Sequence, residues 1–268
     1  MIYCKALGAE FETKELMFTA LKESRERLIS LKKAAIKTTD ECIFQIPKVE
    51  ATKDENSDPL KFGDKVSNVI NTALYLDSHD DVHLMSIWDK SVPEQNGKTY
   101  HVVNHDLKIG SVVGYPNEVE LSLKDMSWRD LGYSADGITR ALMSSTTITD
   151  KSNTDAFKAY RDKAPIQHSV RMQYVDLSLA INDPENKEAF AVWLEVRPQI
   201  INGEKADELG YFFAVRQAKI YKEVSSVLFG SNDITPSMGR KSTVQEPPKS
   251  TPKQPDIDFL AMCNNFKL

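Results

Sequence analysis

The chain has 268 residues, 41% of them hydrophobic, and 34 Lys and Arg against 39 Asp and Glu give a net charge of −5. That length allows one large domain or one domain with appendages, and the apolar fraction is enough for a substantial core. The acidic balance argues against a nucleic-acid surface, which leaves a basic excess, and no apolar run approaches the ~18 residues needed to span a bilayer.

The first eight residues lack the basic-then-apolar layout of a secretory leader. Three cysteines, Cys4, Cys42 and Cys263, are odd in number and widely spaced, which fits neither a disulfide framework nor a zinc pattern. A reducing cytoplasm is the expected compartment. Thr13 to Ile36 reads as one amphipathic helix, with Met17, Leu21, Leu28, Leu31 and Ala35 on one stripe. The stripe suits packing on its own domain or docking to a partner. Cys42–Pro47 is a short strand candidate, and 48–64 reads as a polar loop.

Short apolar runs rich in Val, Ile, Tyr and Phe then alternate with turns. They predict strands at 68–76, 82–88, 100–104, 109–113, 118–123, 168–181, 211–217 and 219–229. Helical patterns interrupt at about 135–144, 153–162 and 185–196. The expected class is α+β, a mostly antiparallel β-barrel or sheet flanked by helices. Residues 233–256 are rich in Pro, Ser, Thr, Lys and Gln and predict a flexible tail, ending in an apolar piece with Ile257, Phe259, Leu260, Met262 and Phe266. The expected organisation is therefore an N-terminal helix and loop over 1–65, a central domain over 66–232 and a tail over 233–268.

Three segments carry the candidate chemistry. They are Tyr-His-Val-Val-Asn-His-Asp at 100–106, Ile-Gln-His-Ser-Val-Arg-Met at 166–172 and Tyr-Lys-Glu-Val-Ser-Ser-Val at 221–227. Each borders a strand-like run, and together they offer a histidine, a serine and a carboxylate. A serine needs a base to take its proton, and the base needs a third group to hold its tautomer. Residue types alone leave Glu223 open as a triad acid or as an edge or ion-paired carboxylate. The pairs His79/His83 and His101/His105 are each four apart, but the local pattern is strand-like, so no metal site is expected. A cysteine hydrolase is disfavoured, because no activating motif surrounds Cys42 and the other two thiols sit near the ends.

The stretch from about Val82 to Asn232 resembles the prohead serine proteases of tailed phages, capsid-maturation enzymes related to herpesvirus assemblins. The Asn-His-Asp…Ile-Gly segment is similar to that family's histidine motif. The His-Ser-Val-x-Met-x-Tyr-Val segment is similar to its nucleophile strand, and Lys-Ile-x-x-Glu-Val-Ser-x-Val-Leu-Phe-Gly-Ser-Asn to its closing strand. The resemblance implies an assemblin-like fold with His105 as base, Ser169 as nucleophile and Glu223 as the acid. Glu195, placed on a helix, is the runner-up for the acid. It further implies scaffold and major capsid protein as substrates, self-cleavage, possible self-association and a place inside the assembling procapsid in the bacterial host cytoplasm. No metal, organic cofactor, membrane or nucleic acid is implied. One departure stands out: relatives carry glycine two positions after the serine, where this chain has Arg171. Backbone amides and Arg171 are the candidate oxyanion donors. The alternative reading is a non-catalytic capsid assembly or scaffold protein that keeps a protease fold.

Overall fold

The structure, a computed structural model, describes residues 1–37 and 59–241. A small hairpin of β1 (Ile2–Cys4) and β2 (Ala9–Phe11) leads into α1 (Lys14–Glu23) and α2 (Arg25–Ala34). The Thr13 side chain accepts the Leu16 N–H and caps α1. The single helix expected over 13–36 is divided at Ser24, although hydrogen bonds from Ser24 to Ala20 and from Leu28 to Ser24 keep the two pieces nearly continuous. Met17, Leu21 and Leu28 are buried as the stripe predicts, whereas Leu31 is exposed.

The chain continues through β3 (Ile36–Lys37), β4 (Lys65–Thr72), β5 (Asp81–His83), α3 (Ser91–Gln95), β6 (Tyr100–Val103), β7 (Val112–Gly114), β8 (Val119–Ser127) and β9 (Ile138–Thr147). Then come α4 (Thr154–Arg161), β10 (Gln167–Ile181), α5 (Lys187–Val196), α6 (Gly203–Leu209), β11 (Tyr211–Val227) and β12 (Ser237–Lys241). The two runs read as separate strands at 211–217 and 219–229 are one strand, β11. No helix among the described residues is long and apolar enough to cross a membrane.

The class is α+β, with six α-helices among the described residues. Two larger sheets pack together rather than closing into the barrel that was one of the expected forms. One sheet has the order β3-β10-β11-β6-β7; the other, all antiparallel, has the order β12-β4-β9-β8. Along one side of β11 runs antiparallel β10, and along the other lie β5 and β6, both parallel to it. Val170, Met172, Ile220 and Val224 of the first sheet share a core with Ile70, Leu121 and Leu142 of the second. Alternation along a strand then sends Ser169, Arg171, Glu223 and Ser225 to the opposite face.

Two further expectations are corrected. The helix read at 135–144 is strand β9, hydrogen-bonded to β4 on one side and β8 on the other. Ala141 and Leu142 favour helix, but Ile138, Thr139, Thr146 and Thr147 are β-branched, and pairing along both edges overrides propensity. The tail expected from 233 is corrected over 233–241, because residues up to 241 belong to the fold. Ile234 and Thr235 are buried, Asn232 bonds Thr72, and β12 pairs with β4. The strand read at Cys42–Pro47, the part of the 48–64 loop before residue 59, the segment 242–256 and the apolar piece at 257–268 lie outside the described residues.

Ile234 is fully buried against Val69, Met126, Trp128 and Leu131. Ile234→Ala should therefore lower stability by about 2–5 kcal/mol in urea unfolding. A loss under about 1 kcal/mol, the range of surface changes, would mean this segment is not part of the cooperative core.

Candidate active site

His105 sits in a tight turn rather than on a strand. The Asp106 N–H donates to the Val103 carbonyl at 3.0 Å. Both central residues have positive φ, 52° for Asn104 and 53° for His105. Two successive left-handed residues are what a type I′ turn requires, and Asn and His tolerate that region better than most side chains. The turn is pinned to β11: Asn104 N donates to the Ser226 carbonyl at 2.9 Å and His105 N to Ser225 Oγ at 2.9 Å. Asp106 shapes the exit by accepting Ser111 Oγ at 2.9 Å, and that bond holds its carboxyl below the usual range.

Glu223 is brought to the same place by an irregularity in β11. Val170 faces Val224 and Met172 faces Ile220, so three residues, 221–223, stand opposite Arg171 alone. Lys222 takes φ 71° within this bulge. Beside it the Glu223 side chain is 0% exposed, and His105 Nδ1 lies 2.7 Å from its Oε1. An ionised carboxylate only accepts, so Nδ1 is the protonated nitrogen. In the neutral ring Nε2 therefore carries the lone pair, and it is buried with no hydrogen-bond partner among the described residues.

Ser169 is the direct cross-strand partner of Ser225, the residue that holds the His105 amide. Directly paired residues share a face, so Ser169 lies on the His105 side of the sheet, 6% exposed. No hydrogen bond joins Ser169 Oγ to His105 Nε2 among the described residues. Arg171, two residues along the same face, donates from Nε to Glu223 Oε1 at 3.0 Å and from Nη2 to the His105 carbonyl at 2.6 Å. These bonds turn Nε and Nη2 toward the acid and the base, a part not foreseen for it. Glu195 stands apart, on α5, where its exposed carboxylate pairs with Arg216. Sequence reasoning gave Ser225 no role; its place opposite Ser169 is set by the pairing of β10 with β11, which residue types do not register.

The other face of the sheet holds a second histidine–serine pair. His101 Nε2 lies 2.8 Å from Ser226 Oγ and His101 Nδ1 lies 2.9 Å from Thr146 Oγ1. Tyr160 OH lies 2.8 Å from Ser226 Oγ and 2.9 Å from His168 Nε2, and His168 Nδ1 lies 3.0 Å from the Thr235 carbonyl. A carbonyl can only accept, so it orders the whole chain. His168 donates to Thr235, Tyr160 to His168, Ser226 to Tyr160, His101 to Ser226 and Thr146 to His101. His101 thus gives a proton to Ser226 instead of receiving one. Closed between the sheets, this pair holds structure.

No group of three or more metal-ligating side chains occurs among the described residues. An open cleft of about 660 Å³ lies between Tyr133, Ile201, Lys205 and Glu208 and contains none of these histidines or serines. No family model, curated protein or solved structure matches this chain.

The inner network makes stability pH-dependent. Burial pushes His101 down to about 3 and His168 to about 4, and burial likewise brings His83 down to about 4. Between about pH 6.5 and 4 the unfolded chain binds protons that these folded rings refuse, so stability falls as pH falls through that window. Each histidine contributes a slope of up to about 1.4 kcal/mol per pH unit. Asp77 opposes them, because burial raises it to about 6 and its stabilising effect is present at low pH and lost as pH rises through 6. Burial also raises Asp80 and Asp233, which act in the same sense as Asp77. Between pH 7 and 4.5 the urea midpoint of the parent chain should therefore fall relative to that of His168→Gln, which lacks one of the rings that refuse a proton. Equal changes in the two chains over that range would show that the His168 ring is not held neutral.

Proposed function

We propose that this chain is a serine endopeptidase of the kind that matures phage capsids, cleaving scaffold or capsid-protein segments and itself. The observation that carries the reading is the His105 ring. Its Nδ1–H is fixed on a buried carboxylate while its Nε2 lone pair has no partner among the described residues, on the sheet face that presents Ser169. A structural histidine satisfies both nitrogens, as His101 and His168 do on the other face. The resemblance of the three segments to the prohead proteases supports the same assignment.

The chemistry is acyl transfer. Ser169 Oγ attacks the scissile carbonyl carbon as its proton passes to His105 Nε2. His105 then gives that proton to the leaving amine as the C–N bond breaks. A water attacks the acyl-enzyme, its proton goes to Nε2, and Ser169 Oγ leaves with that proton restored. Glu223 stays ionised throughout and stabilises the imidazolium that forms. Ser169 and His105 are not hydrogen-bonded, and such bonds commonly tighten only with substrate bound. That same gap is the observation favouring the second reading, a non-catalytic assembly protein that keeps the fold.

Intact mass of the purified protein over time separates the readings. The parent chain should trim itself, while Ser169→Ala and His105→Ala remain whole. Glu223→Gln should slow trimming by roughly 10²–10⁴, since the ring loses its charged partner and its enforced tautomer. Glu195→Gln should match the parent, as exposed helix positions usually do. Trimming that persists in Ser169→Ala would overturn the proposal, and strong loss with Glu195→Gln alone would move the acid to α5.

A further inference from the structure

We propose that Arg171 is a positioning residue that sets both the place and the charge of the His105–Glu223 pair; this rests on reading His105 as the base. A carboxylate with no exposure is costly unless a cation compensates it. Arg171 supplies that cation through Nε at 3.0 Å from Glu223 Oε1. The same guanidinium reaches back through Nη2 to the His105 carbonyl at 2.6 Å. One planar group therefore clamps the acid and the backbone of the base, and its side chain is 19% exposed, largely shielded from screening. The clamp also ties down the carbonyl of His105, the second of the two left-handed residues of the turn.

The charge consequence follows from neutrality. With Arg171 present, the positive guanidinium and the negative carboxylate balance, and His105 completes the site as a neutral ring ready to accept a proton. Without Arg171 the buried carboxylate lacks its counter-charge, and the pair takes up a proton in compensation. A base already protonated cannot activate Ser169. The other charged groups around the turn are Asp106 and Lys108 on its own loop and Lys222 beside Glu223. Asp106 is engaged with Ser111 and Lys108, and Lys222 is exposed, so neither substitutes for a buried guanidinium.

Two readouts on the full chain test this: the pH midpoint of the His105 ring signals in ¹H–¹⁵N NMR, and the pH dependence of Ser169 labelling by a fluorophosphonate. Arg171→Met and Arg171→Gln should each raise the midpoint by about one pH unit or more and move the acidic limb of labelling by the same amount. Gln keeps a donor without the charge, so it tests the charge even where Met disturbs folding. Arg171→Lys should restore the midpoint but not the full labelling rate, because an ammonium cannot bridge both partners in one fork. An unmoved midpoint in folded Arg171→Gln, or full-rate labelling in Arg171→Lys, would overturn the assignment. A parent chain that shows the midpoint shift with its variants but is never labelled would sink the hydrolase reading and leave the Arg171 clamp standing.

Discussion

The structure around the candidate site depends on burying one carboxylate. Glu223 has no solvent exposure, and an isolated charge there would cost several kcal/mol. Two donors from different parts of the chain meet its Oε1, the ring of His105 and the guanidinium of Arg171. Each feature nearby serves that meeting. The bulge at 221–223 swings Glu223 into place, the turn at 103–106 presents the ring, and Ser225 holds the turn's amide. The cluster is satisfied at Oε1, whereas Glu223 Oε2 and His105 Nε2 are buried with no hydrogen-bond partner among the described residues.

The same sheet sorts two chemistries by alternation. His168, Ser226 and His101 point toward the second sheet and form a chain of hydrogen bonds closed by a carbonyl. Ser169, Ser225 and Glu223 point the other way, beside the one imidazole nitrogen in these clusters that lacks a partner among the described residues. Adjacent residues in the sequence, 168 and 169 or 225 and 226, thus belong to a structural network and to a candidate reactive one. Of the two histidine–serine pairs, only His101 and Ser226 are joined by a hydrogen bond, at 2.8 Å, and in it the histidine donates.

Much of this was legible in the sequence. The apolar alternation of 168–181 placed β10, the two runs read at 211–217 and 219–229 are joined in β11, and β6 falls where 100–104 was read. The meeting of His105 with Glu223 was expected from motif resemblance, and the structure brings those two side chains together. The rest depended on tertiary context. Residues 138–147 carry helix-favouring Ala and Leu, and only pairing with both neighbours makes them a strand. His105 was read at the edge of a strand, but a positive-φ turn is set by two residues and a single closing hydrogen bond, which periodicity does not register. The polar composition after Asn232 hid Ile234 and β12, because one buried isoleucine outweighs several polar neighbours when a strand edge is open to pair with it. Arg171 looked like a departure from pattern, and its partners lie 66 and 52 residues away in the chain.

Trapping a covalent intermediate tests the central claim most directly. The protein would be mixed with an activated ester such as p-nitrophenyl acetate, quenched in acid and mapped by peptide mass spectrometry. The account predicts an acyl group on Ser169 of the parent chain and none on Ser169 of His105→Ala. Acylation of Ser225 or Ser226 instead, or equal acylation of Ser169 with and without the His105 ring, would contradict it.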